Sequence, residues 1–151
     1  MKIKELEERD FAGLSELVLQ VYDEMPYAMT FEHRPSQQEL AELMQKKIQG
    51  MRDRTLVDLV AVEGERVVAD CEIVKSTESG GTVGIIVAKD HRRRGIGKRL
   101  IERSSEKAKE LKMLEVYAEI DERNESAGSF FANCGFKEQV EGRELIMVKS
   151  L

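Results

Sequence analysis

An α/β fold (α+β in its segregation of elements), built on a mixed, mostly antiparallel sheet of six or seven strands with helices on both faces, is predicted by three observations. Leu56 to Val62 and Val67 to Val74 read as two strands joined by a tight turn at Glu63-Gly64-Glu65-Arg66. The continuous apolar run Thr82-Val83-Gly84-Ile85-Ile86-Val87 is followed by a helical stretch and then by a strand from Leu114 to Ile120, which makes a β-α-β unit and so a parallel pair. Phe136 to Val140 and Leu145 to Lys149 close the chain as a hairpin across Glu141-Gly142-Arg143.

The remaining elements follow in order. Met1 to Glu5 alternates weakly, as a first strand would, and Asp10 is placed to cap a helix that carries Phe11, Leu14, Leu17, Val18 and Val21 on one face and ends near Tyr22. Glu24 to Pro35 holds both prolines and neither period, so it reads as an irregular connection, and loops of this length are often functional. Ser36 and Glu39 form a capping-box pattern ahead of a second helix with Leu40, Leu43, Met44 and Ile48 inward. Glu78-Ser79-Gly80-Gly81 is a turn signal before the apolar run, which suits a strand buried on both faces. The next helix, from about Gly97 to Leu111, turns Leu100, Ile101, Ser104, Ala108 and Leu111 inward; a short one starts near Asn124 and ends at Gly135, a left-handed cap position.

The 151 residues, 41% hydrophobic and 35% charged, suffice for one folded domain spanning 1–151 without disulfides or metals. A net charge of −5 argues against a surface built throughout for nucleic acid, and the absence of Trp removes the best stacking platform. No run approaches the roughly 18 apolar residues that span a bilayer, and the start carries no apolar leader, so the expectation is a cytoplasmic protein without a membrane partner. Cys71, Cys134, His33 and His91 show no metal-ligand spacing.

Charge is instead local. Between Lys89 and Arg99 stand Lys89, Arg92, Arg93, Arg94, Lys98 and Arg99 against the single acid Asp90, where a buried strand gives way to a helix. A helix start offers unpaired amides and the positive end of the macrodipole, and Gly95 and Gly97 let backbone approach a ligand. Basic residues in a first helical turn oppose the dipole and are best tolerated beside an anion. Two glycine-rich alternatives fail on spacing: Gly95-Ile96-Gly97-Lys98-Arg99-Leu100 lacks the third glycine of a dinucleotide fingerprint, and Gly97-Lys98-Arg99 lacks the hydroxyl residue and upstream glycine of a P-loop. A nucleic-acid contact through the arginines is a further alternative, with steep salt dependence as its mark.

Arg92-Arg93-Arg94-Gly95-Ile96-Gly97 fits the Gln/Arg-x-x-Gly-x-Gly/Ala loop of the GCN5-related N-acetyltransferase (GNAT) family, and Asn124, Ala127, Gly135 and Phe136 fit its Asn-x-x-Ala-x-x-x-Tyr-x-x-x-Gly-Phe signature. The chain resembles that family specifically over Thr82 to Phe136 and only in architecture before it. The resemblance implies that the parallel pair splays apart around acetyl-CoA. It implies that backbone of Ile85, Ile86 and Val87 pairs with the pantetheine arm, that amides from Arg92 through Arg93, Arg94, Gly95, Ile96 and Gly97 to Lys98 hold the pyrophosphate, and that Asn124 and Phe131 flank the pantetheine and sulfur end. Homodimers are common in the family.

One position departs from the pattern. Phe131 stands where many members carry the tyrosine that protonates the departing thiolate, and phenylalanine has no proton to give. Loss of a general acid costs about 10² to 10⁴ in rate, less where the leaving thiol has a pKa near 8.5. Glu119, five residues before Asn124, resembles the catalytic glutamate of ribosomal-protein N-terminal acetyltransferases and is the first choice for handling the amine's proton. Glu72 is a second candidate, and a backbone amide near Val87 would stabilise the oxyanion. Tyr117 is expected to share a face with Glu119. Tyr27 and His33 lie where an acceptor could touch them, His91 shapes the loop, and Cys134 reads as a structural thiol. The reading is transfer of an acetyl or small acyl group to a primary amine (a protein N-terminus, a lysine or a small molecule). The alternative is an acyl-CoA-binding protein with weak or lost catalysis.

Overall fold

The computed structural model describes residues 1–141 and 144–151, and the side chains of these except at 140, 141 and 144. In chain order they form β1 (Lys2–Glu5), α1 (Phe11–Glu24), α2 (Gln37–Arg52), β2 (Leu56–Glu63), β3 (Arg66–Lys75), β4 (Gly80–Val87), α3 (Ile96–Glu110), β5 (Glu115–Ile120), α4 (Glu125–Asn133), β6 (Lys137–Glu141) and β7 (Glu144–Ser150). The sheet has seven strands in the order β1-β2-β3-β4-β5-β7-β6, and only β4 and β5 run parallel. The turn expected across Glu141-Gly142-Arg143 lies outside the described residues at 142 and 143.

Two layers of helix cover the sheet. Lys47 of α2 reaches Asp58, Asp70 and Glu72, and Gly13 of α1 lies against Val67, so α1 and α2 share one face. A bulge in the β2–β3 register, where Ala61 pairs with Ala69 and Val62 with Val67, moves Val67 onto that face. On the opposite face Gly97 of α3 meets Ile85 and the ring of Phe130 of α4. Leu100, Ile101, Ser104 and Ala108 of α3 are buried there, as their spacing predicts.

Caps behave unevenly. The Ser36 hydroxyl accepts from the Glu39 amide at 3.1 Å, and Glu39 accepts from the Ser36 amide at 3.0 Å, which completes the predicted capping box of α2. Asp10 precedes α1 as expected but makes no side-chain cap bond to it; its carboxylate accepts instead from the Glu7 amide at 2.9 Å and Lys4 Nζ at 2.5 Å. Gly135 is left-handed at φ 90°, as the sequence requires of the cap after α4.

Two sequence expectations fail around β4. Gly80 and Gly81, read as a turn, belong to the strand and pair with Glu115 and Val116 of β5. They are there for proximity: a Cβ on Gly81 would lie 2.8 Å from both the Ile73 side chain and Met113 Sδ, and one on Gly80 would lie 2.9 Å from the Glu115 side chain. Nor is the strand buried on both faces along its length, because Ile85, Ile86 and Val87 are only half-buried. Pairing with β5 stops at Thr82 opposite Tyr117, and from there the strands part. β5 continues to pair through Ile120, but on its other edge, with β7.

Because Gly81 sits at the vertex where the strands still touch, Gly81→Ala is expected to destabilise the fold by about 1–3 kcal/mol through overpacking. Urea unfolding measures this; a midpoint unchanged from the parent would contradict the close approach.

Candidate active site

The parting of β4 and β5 leaves a strand edge open inside a sheet. Its polarity follows from the register. The Ala88 amide bonds the Val68 carbonyl at 2.8 Å, so main-chain groups of even-numbered β4 residues, Ile86 included, face β3, whereas those of Ile85 and Val87 face the gap. The Val87 carbonyl accepts from Arg92 Nε at 3.0 Å. The amides of Ile85 and Val87 are thus the donors aimed into the gap, in place of the unbroken trio Ile85, Ile86 and Val87.

At the outer end of the gap stands the N-terminus of α3. Gly95 is left-handed at φ 78°, with no atom within 4 Å of a Cβ placed there, and Arg93 is left-handed at φ 63°, an uncommon conformation for a side-chain-bearing residue. The first intrahelical bond runs from the Arg99 amide to the Gly95 carbonyl at 3.1 Å, so the amides of Ile96, Gly97 and Lys98 come before it and are open to an anion. Gly97 is required by contact, since a Cβ would lie 2.8 Å from the Phe130 ring.

The basic residues divide into two groups. Arg92 is a structural clamp: its Nη atoms grip both oxygens of Glu24, the last residue of α1, at 2.6 and 2.7 Å while Nε holds the Val87 carbonyl. The clamp holds the Glu24 carboxyl below its usual range. Arg93, Arg94, Lys98 and Arg99 are exposed and form no ion pair among the described residues, so the positive field of the loop is carried by side chains free to turn to a ligand. Asp90, the loop's one acid, is taken by Arg66 at 2.8 and 3.0 Å.

His91 anchors the loop from below. Only 6% exposed, it places Nδ1 3.0 Å from Asp90 and Nε2 against Glu63. Carboxylates on both nitrogens, Asp90 the stronger influence, raise the imidazole pKa above its ordinary value.

The α1/α2 face of the gap is acidic. Thr82 pairs with Tyr117, so Tyr117 shares the even-numbered β4 face and Glu119 follows two residues on, exposed and free of ion pairs among the described residues. The Tyr117 hydroxyl donates to Glu115 at 2.6 Å. Tyr27, in a 3-10 turn after α1, lies under Arg123 at 5.2 Å, so the α1–α2 connection reaches the turn after β5 and walls this side; His33 is tied to Glu39 at 2.9 Å instead. Asn124 stands at the N-cap position of α4 without a side-chain cap bond, and its carbonyl oxygen accepts from the Ser126 hydroxyl at 3.2 Å. Phe131 is 6% exposed and packs edge-on to Phe130 and Phe136 at 5.2 and 5.1 Å. The Cys134 thiol is buried and pushed up by that burial.

Sequence reasoning missed Lys47. It lies three residues after Met44 and seven after Leu40 on the buried stripe of α2, with Nζ 2.6 Å from Asp58, 3.1 Å from Glu72 and 3.4 Å from Asp70. The signal was present in Asp58 and Asp70, lone charges inside apolar strands that need a partner. Burial pulls the Lys47 ammonium down, but the charges of Asp70, Asp58 and Glu72 outweigh it and hold its pKa well above the ordinary value.

A splayed parallel pair opening beside a basic helix start defines a class, and the comparisons agree with it. The model of the acetyltransferase (GNAT) family matches residues 17–136, and the chain belongs to that family. It is similar in fold to the ribosomal-protein-alanine N-acetyltransferase of Brucella melitensis, at 24% identity over 100% of both chains and a TM-score of 0.83. It is also similar to the phosphinothricin acetyltransferase of Sinorhizobium meliloti in complex with acetyl-CoA, at 17% identity over 99% of this chain and 88% of that one, TM-score 0.82. The PaiA N-acetyltransferase of Thermoplasma acidophilum, in complex with coenzyme A, matches at 17% identity over 99% and 98%, TM-score 0.77. No curated protein matches the sequence. Among the described residues no helix is long and apolar enough to cross a membrane, and no group of His, Cys, Asp and Glu could hold a metal ion.

With its folded pKa raised, His91 contributes stability that is complete below the unfolded value of about 6.5 and is lost as pH rises through the folded one. The difference in Tm between the parent and His91→Asn is therefore expected to shrink from pH 5.5 to pH 9, roughly bracketing that titration. A difference constant across the range would contradict it.

Proposed function

We propose that the chain transfers an acetyl or other small acyl group from acetyl-CoA to a primary amine by direct attack in the gap between β4 and β5. The observation that carries this is continuity: the open amides at the start of α3, ringed by unpaired arginine and lysine side chains, lead directly onto the unpaired edge of β4. A pyrophosphate fits the first and an extended amide-bearing arm fits the second, as an added strand.

Acetyl-CoA supplies an acyl group activated as a thioester. The side chains of Arg93, Arg94 and Lys98, with the amides of Ile96, Gly97 and Lys98, hold the charged end. Val87 and Ile85 donate from the β4 edge, and Ile85, the deeper of the two, sits next to the level of Glu119 and is the better-placed donor to an oxyanion. Glu119 accepts the proton that an arriving ammonium must lose before it can attack. Asn124, at the start of α4, would bond the pantetheine side. Phe131, buried against Phe130 and Phe136, has no proton to give, so the thiolate leaves unprotonated or takes its proton from solvent or from the ammonium.

Thermal unfolding with coenzyme A, acetyl-CoA and ATP tests the binding half. At 100 times Kd a ligand is expected to add about 2.7 kcal/mol, and both coenzyme forms should raise Tm where ATP does little. No shift at millimolar coenzyme A would overturn the reading. For the chemical half, Glu119→Gln is expected to lower kcat about 10² to 10⁴-fold in release of coenzyme A with a primary amine. The second reading, an acyl-CoA-binding protein with little turnover, is favoured by the apolar burial of Phe131. A strong rise from a barely measurable rate in Phe131→Tyr would decide for it.

A further inference from the structure

Glu72 of β3 pairs directly with Gly84 of β4, and Thr82 opposite Tyr117 brings Glu119 of β5 level with Gly84 two residues further along. Paired residues share a face and side chains alternate along each strand, so Glu72, Gly84 and, beyond the last β4–β5 pair, Glu119 lie in one row on the α1/α2 face. The middle of the row is bare: a Cβ at Gly84 would meet no atom within 4 Å. Glycine inside a strand weakens it, and no neighbour here requires one, which leaves the strand surface open to the close approach of a ligand.

The Glu72 end of the row is backed by a cluster short of donors. Lys47 Nζ has three N–H bonds, directed at Asp58, Asp70 and Glu72. Asp58 Oδ1 and Asp70 Oδ1 remain buried without a hydrogen-bond partner, on side chains 0% and 9% exposed. Burial first, and the charge of Asp70 second, push the Asp58 carboxyl well above its ordinary value. Three acidic side chains face this one ammonium. Of the three acids only Glu72 reaches solvent appreciably, at 26% exposure, and the surplus negative charge is presented there, beside Gly84.

We propose that Glu72, held in place by Lys47, binds a second cationic group of the acceptor, so that the preferred acceptor is a diamine lying over Gly84 with its reacting nitrogen at Glu119. This rests on the acetyl-transfer reading above. The Cα atoms at the two ends of the row are two strand spacings apart, roughly 10 Å and more where the strands part, which suits nitrogens separated by about four or five carbons.

The test compares 1,5-diaminopentane with pentylamine, which differs from it only in lacking the second nitrogen, in release of coenzyme A by the full chain. The ratio of kcat/KM for diamine over monoamine is expected to be about tenfold in the parent and to fall to near one in Glu72→Gln. Glu72→Asp, which keeps the charge, should restore part of the ratio. A purely structural role for Glu72 would depress both acceptors and leave the ratio in place, which would overturn the proposal. So would a parent that acetylates pentylamine as readily as the diamine, while the acetyl-transfer reading stood. Binding of acetyl-CoA with no turnover of any primary amine would instead remove the acetyl-transfer reading and this proposal with it.

Discussion

Everything in the site depends on one interruption: β4 and β5 stop pairing after Thr82. A strand edge with unpaired amides and carbonyls inside a sheet is costly unless something partners it. Three local features hold the interruption open. Gly80 and Gly81 draw the strands together tightly at the vertex, β7 takes the far edge of β5 and keeps it straight, and Arg92 caps the Val87 carbonyl at the mouth. The amides that remain, on Ile85 and Val87, are donors fixed in direction by the ladder to β3 rather than by loop residues, and a rigid donor loses little entropy when it is used.

Charge is sorted around the same interruption. At the gap, Arg93, Arg94, Lys98 and Arg99 stand exposed on the outer rim at the start of α3, while Glu119 and the acid cluster that includes Glu72 lie on the α1/α2 face. An anion and a cation approaching this molecule are therefore drawn to two sides of one opening. Arg92 joins the sides mechanically, since one guanidinium binds the end of α1 and the end of β4. A shift of the α1–α2 connection is felt at the strand that carries the donors.

The fold was largely legible because its elements obey local rules. The capping box of α2, the inward stripe of α3 and the β-α-β order around it all survive from sequence to structure. What failed to show was tertiary in origin. Gly80 and Gly81 carry the residue type of a turn but serve as contact points against Met113, Ile73 and Glu115, which no local pattern reveals. The half-exposure of Ile85, Ile86 and Val87 follows from the splay and is invisible in an unbroken apolar run. The loop Arg92 to Gly97 could be read as an anion site from composition and position, yet not that Arg92 would turn away to bind Glu24, sixty-eight residues earlier. Lys47 hid among the polar residues of an amphipathic helix, although Asp58 and Asp70 announced a missing cation.

Both sulfur-bearing nucleophiles of the chain are sequestered. Cys71 lies fully enclosed beneath α3 and Cys134 is 6% exposed at the end of α4, and burial pushes both thiols away from the thiolate form. While the protein is folded, both thiols are thus expected to react slowly with disulfide reagents, so that a fast thiol signal in an assay reports coenzyme A rather than the protein.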